Sequence, residues 1–132
     1  MTILSIRTDK AEAELGLFQD DHQQDYLVWQ ADRELSLTIL QKITELLARN
    51  ELSFQHLEGV VGYQGPGSFT GLRIGLTVAN TLAYGLRIPV VGSQAEAWIQ
   101  DGIARLQKGE NQKIALPHYE REPNISQPKK AS

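Results

Sequence analysis

Gly65, Gly67, Ser68 and Thr70 have the strongest claim to chemistry in this chain, within GYQGPGSFTGLRIGL at 62–76. Gly65, Pro66 and Gly67 form a turn directly after an apolar run. Ser68 is placed to cap a following helix by accepting from the N–H of Thr70 or Gly71. Free amides at a helix start, reached through glycine, make a general anion site, so one reading is phosphate binding. The other is conformational: a strand-to-helix turn whose backbone angles favour glycine. Two nucleotide motifs are excluded. No Lys-Ser or Lys-Thr follows Gly67, so this is not a P-loop. GPGSFTG also places its third glycine one residue too late for the dinucleotide fingerprint.

Other reactive side chains are dispersed. Asp9 ends the first predicted strand, where nucleotide-hydrolysing folds often carry a carboxylate. His22, His56 and His118 fall in separate predicted loops or tail, without ligand spacing, and read as solvated. Asp20, Asp21 and Asp25 crowd one polar turn, which could bind a hard cation but reads more simply as a hairpin. Ser36 and Ser68 have no histidine base in a triad-like pattern. No metal site is expected, and the absence of cysteine excludes disulfides and thiolate chemistry.

The helix after the turn suggests a second kind of site. Between Phe69 and Leu86 the one charged residue is Arg73, so nearly the whole circumference is apolar or small. Such a helix is covered on more than one side. Gly71, Gly75, Ala79 and Ala83 recur every four residues, and each glycine costs ~1 kcal/mol relative to alanine. Close approach by another helix would offset that cost. The expectation is therefore an outward-facing small-residue stripe, with Leu72, Leu76, Leu82 and Leu86 on the sheet.

The elements that must position these residues follow from periodicity. Residues 3–8, 11–18 and 26–30 read as an antiparallel meander. From 33 to 50 the period becomes helical, with Asp32 as the expected cap. Residues 57–63 make a short buried strand, 68–85 a helix and 87–92 a strand. Ser93 then caps a helix to 108. The order is β-β-β-α-β-α-β-α, an α/β fold with a mixed sheet. Residues 1–108 form one domain, and the proline-rich residues 109–132 an extended tail.

Hydrophobic residues are 41% of the chain and charged residues 22%, a balance that supports a packed globular core. A net charge of −3 with scattered basic residues argues against direct nucleic-acid binding. The chain shows neither a signal-peptide pattern nor an apolar run of the ~20 residues that span a bilayer. The expected location is cytoplasmic, with no membrane association.

GPGSFTGLRIG at 65–75, preceded by LEGVVGYQ and followed by the apolar helix and RIPVVGSQAEAW, resembles the TsaB (YeaZ) family. RELSLTILQKITELL is similar to that family's first helix, and PHYEREPNISQPKK to the way its members end. The resemblance implies an actin-like or Hsp70-like ATPase domain of ribonuclease H-like topology. It implies a role in forming N6-threonylcarbamoyladenosine at position 37 of tRNA. Family members are generally non-catalytic: they dock on the catalytic subunit TsaD, and the ATPase TsaE joins the complex. No HxxxH occurs here either. The implied docking surface combines Leu35, Ile39 and Ile43 with Gly71, Arg73, Gly75, Ala79 and Ala83. A homodimer could use the same helices, and ATP or ADP could sit at the complex interface. The chain departs from the family in two ways. Where relatives carry a second domain of about equal size, the short tail stands here, which reads as either a natural minimal form or an internal deletion, and Arg7-Thr8-Asp9 stands where Asp-Thr-Ser is usual.

Overall fold

The computed structural model describes residues 1–31 and 34–117. Among these, five strands form one sheet in the order β3-β2-β1-β4-β5. β1 (Thr2–Arg7), β2 (Glu12–Gln19) and β3 (His22–Gln30) make the antiparallel meander. β4 (Gly59–Gly65) and β5 (Val90–Gln94) add to β1 in parallel. Parallel neighbours need crossovers, and α1 (Leu35–Ala48) and α2 (Phe69–Leu86) supply them. α3 (Trp98–Gln107) follows β5.

Strand alternation divides the core in two. Leu4, Ile6, Leu15, Leu17, Val60 and Val90 pack with Ile39, Ile43 and Leu46 of α1 and with Leu76, Ala79 and Ala83 of α2. Ile3, Phe18, Val61 and Val91 point the other way and meet Trp98, Ile103 and Leu106 of α3. The sheet is thus a middle layer covered on both faces. That is the arrangement parallel strands need, because neither of their faces is polar.

Several boundaries differ from the sequence reading. β3 begins at His22, so the meander turns on Asp20 and Asp21 alone, with Asp20 at φ 54°. α3 starts at Trp98, because Ser93 lies inside β5, where its hydroxyl donates to Asp101 at 2.7 Å. Asp32, the expected cap of α1, Arg33 and His118 lie outside the described residues.

The segment after α3 is tied down as far as residue 116. Val90 N–H donates to Asn111 Oδ1 at 3.1 Å and Gly92 N–H to Gln112 Oε1 at 2.8 Å. Gln112 N–H donates back to the Val90 carbonyl at 2.9 Å. Further along, Asn80 pairs with both backbone groups of Ala115, at 2.8 and 3.0 Å. Residues 111–116 thus form a strap satisfying the outer edge of β5, an edge that would otherwise invite another strand. No helix among the described residues is long and apolar enough to cross a membrane.

Candidate docking groove and the glycine turn

At the end of β1 the chain meets the glycine turn. Gly65 takes φ 123°, a backbone region that L side chains rarely adopt. Ser68 caps α2 as expected, accepting from Gly71 N–H at 3.2 Å. Its hydroxyl also donates to the Asp9 carbonyl at 3.3 Å. A Cβ at Gly67 would stand 2.7 Å from Asp9 Cβ and 2.8 Å from its Oδ2. In the turn expected to receive a phosphate through Gly65, Gly67, Ser68 and Thr70, the chain's own Asp9 thus sits against Gly67. A phosphate there would also face a carboxylate of like charge.

Asp9 is held from behind. Arg7 Nε donates to its Oδ1 at 2.7 Å, and the Arg7 guanidinium lies 3.8 Å from the Tyr63 ring centroid. Tyr63 donates to the Pro66 carbonyl at 2.8 Å, returning the network to the turn. Burial pushes the Tyr63 phenol above its usual range. On the same sheet face Tyr26 donates to Glu14 at 2.7 Å; burial and then this bond raise its phenol well above the usual value. The carboxylate placed for catalysis by sequence thus belongs to a closed ion-pair and stacking cluster.

The small-residue stripe points inward. Gly75, Ala79 and Ala83 are buried, with Ala79 at 0% exposure, and Gly71 is half-buried. A Cβ at Gly62 of β4 would lie 3.6 Å from Ala79 Cβ. This corrects the expected outward face, for a geometric reason. Residues one apart on a helix differ by about 100°, so Gly75 and Leu76 fit within a single buried arc. Leu72 and Leu76 are buried, whereas Leu82 and Leu86 are half-exposed at its margin. Leu35, Ile39 and Ile43, expected at a partner interface, are at most 5% exposed and pack on the sheet. Substituting any of these would test the core rather than a surface.

What the helical layer offers to solvent lies beside the stripe. A groove of about 320 Å³ runs between the start of α1 and the first half of α2. It is lined by Ser36, Thr70, Arg73, Ile74, Thr77 and Val78. Ile74 and Val78 are half-buried and form its apolar floor; the polar residues are exposed. Leu37 and Leu40 of α1 add apolar surface, 72% and 47% exposed. Of the expected interface residues, Arg73 alone is on this surface, and Thr70, expected at a phosphate, lines it instead. Periodicity could have found Ile74, Thr77 and Val78, since they continue Thr70 at helical spacing.

Other candidates remain apart. His22 is an exposed strand residue, and His56 accepts from Ser53 N–H in a capping box. Among the described residues no three His, Asp or Glu side chains gather to hold a metal ion. Asp20 pairs with the N-terminal ammonium at 2.9 Å. Asp25 accepts from Arg49 Nε and Asn50 Nδ2, each at 2.7 Å; those bonds, Arg49's foremost, hold its carboxyl at about 2.

A meander joined to parallel strands in the order 3-2-1-4-5, with helices on both faces, defines the ribonuclease H-like fold of the actin-like ATPase type. YeaZ from Pseudomonas aeruginosa superposes with a TM-score of 0.66 at 24% identity, covering 82% of this chain and 50% of that one. Residues 29–111 match the family described as TsaD: tRNA N6-adenosine threonylcarbamoyltransferase. The tRNA threonylcarbamoyladenosine biosynthesis protein TsaB of Bacillus subtilis (strain 168) is 34% identical over 90 residues, 68% of this chain and 39% of that protein. Its counterpart in Escherichia coli (strain K12) is 30% identical over 112 residues, 80% of this chain and 48% of the other. The chain belongs to this family, on its TsaB (YeaZ) branch. It spans about half the length of the curated relatives it matches, or less.

Proposed function

We propose that this chain acts in the formation of N6-threonylcarbamoyladenosine on tRNA, as a non-catalytic subunit that docks on a TsaD homologue. The observation that carries the reading is the groove between α1 and α2. It has an apolar floor of Ile74 and Val78 and a polar rim including Arg73, and α1, which contributes Ser36, also exposes Leu37 and Leu40. An apolar centre within a polar rim is how protein interfaces are built. The names of the relatives support the pathway, and the TsaD family match supports a partner of the same fold. The non-catalytic assignment is supported by Asp9, whose carboxylate is engaged by Arg7. A TsaE homologue joins through the assembled complex, and any ATP or ADP is held at the complex interface.

The test is co-purification with the TsaD homologue from the same source, read by light scattering. A 1:1 complex is expected. Thr77→Arg, which puts a long cation into the groove from an exposed position, should abolish it. Gln100→Arg on exposed α3 surface should leave it intact. A homodimer of this chain lost in Thr77→Arg, with no complex, would assign the groove to self-association instead.

A further inference from the structure

One hydroxyl bonds the backbone ladder of α2 at two points. Thr8 Oγ1 donates to the Gly71 carbonyl at 2.5 Å and accepts from the Gly75 N–H at 2.9 Å. That carbonyl and that N–H are the two ends of one i to i+4 rung. A side chain entering a rung turns the helix locally, one of the few physical causes of a bend. Entry is possible because both rung residues lack side chains. A Cβ at Gly71 would stand 2.6 Å from the Thr8 carbonyl oxygen, and one at Gly75 2.5 Å from Thr8 Oγ1. The four-residue glycine spacing thus matches the insertion of one threonine.

Thr8 is itself anchored. Its neighbours Arg7 and Asp9 form the ion pair against Tyr63, and Ser68 bonds the Asp9 carbonyl. The part of α2 that Thr8 engages carries Thr70, Arg73 and Ile74, which line the groove together with Thr77 and Val78 further along. We propose that Thr8 is a positioning residue for the docking groove. Its hydroxyl sets the direction of the first turns of α2 relative to the rest, and with it the shape the groove presents. Thr8 is 4% exposed beneath the helix and acts through it. This inference rests on the docking reading above.

The test compares Thr8→Val, which keeps the shape and removes both bonds, with Thr8→Ser, which keeps the hydroxyl. In Thr8→Val the Gly71 carbonyl and Gly75 N–H still face each other as an i to i+4 pair of α2, so the chain should fold. Its affinity for the TsaD homologue should fall at least about tenfold, and Thr8→Ser should stay within about threefold of the unsubstituted chain. Binding by Thr8→Val equal to that of the unsubstituted chain overturns the proposal. Should Thr8→Val not fold, Thr8→Ala replaces it; loss of the folded state in both makes the hydroxyl a core requirement and also overturns it. If the unsubstituted chain itself does not bind, the docking reading fails separately, and the wedge is judged by NMR. Amide shifts in Thr8→Val confined to residues 69–76 support the wedge, and unchanged shifts there overturn it.

Discussion

Glycine at position 75 costs α2 about 1 kcal/mol of helix propensity relative to alanine, and Thr8 explains why it stays. Adding a methyl there would drive it to 2.5 Å from Thr8 Oγ1. Gly75→Ala should therefore destabilise the chain by about 2 kcal/mol, because overpacking outweighs the propensity gain. Gly85, in the same helix, has nothing within 4 Å of its Cβ position. Gly85→Ala should stabilise by up to about 1 kcal/mol. Urea denaturation of the two variants checks the pair, whose signs should be opposite. Asp25 supports a second prediction. Its carboxyl is held near 2 by Arg49 and Asn50, below the ordinary value of about 3.9. A depressed folded value contributes stability that is full above the unfolded value and is lost as pH falls through the folded one. Asp25→Asn should thus cost about 1 kcal/mol at pH 7, the pair being partly solvated. The gap between variant and parent should close between roughly pH 4 and 2 in denaturation curves measured across that window.

The strap of residues 111–116 shows how an element without a periodic signal is nonetheless built. Asn111 and Gln112 hold it on β5, while the side-chain amides of Asn80 on α2 and Gln64 on β4 hold its far end. Ala115 is buried between exposed Ile114 and Leu116, so one small residue anchors the segment. Asn80→Ala removes both bonds to Ala115 and should free the strap without unfolding the sheet. Limited proteolysis should then cut within 109–117 several-fold faster, while the melting temperature falls by only a few degrees. An unchanged cleavage rate would show that Asn111, Gln112 and Gln64 hold the strap without Asn80. α2 carries the same point from the other side: its pattern was legible, but the direction of its stripe was not. Helical spacing fixes angles between residues on one helix and says nothing of what each angle will face.

Across the whole chain, a net charge of −3 and a groove with an apolar floor support the proposed docking on a protein rather than on nucleic acid. The isolated chain should give no mobility shift of tRNA at micromolar concentration and physiological salt, since phosphate contacts dominate such affinity. A shift there would relocate the proposed function from the partner to this surface. Element order was readable because the periods of strand and helix are local properties, imposed within a few residues by backbone geometry. The motif at 65–75 and the Ser68 cap were readable for the same reason, and they led to the right fold. What the turn receives was not: Asp9 reaches Gly67 from 58 positions away in the chain, and no local pattern marks such a meeting. Thr8, Ile74, Thr77 and Val78 gained their roles when the sheet brought β1 under α2 and set α1 beside it. By itself the sequence determined the elements, their order and the need for a close approach along α2. Tertiary structure alone decided that the approach is made by the chain's own threonine and strands. Burying that face on the sheet removes far more apolar surface from water than leaving it for a partner would.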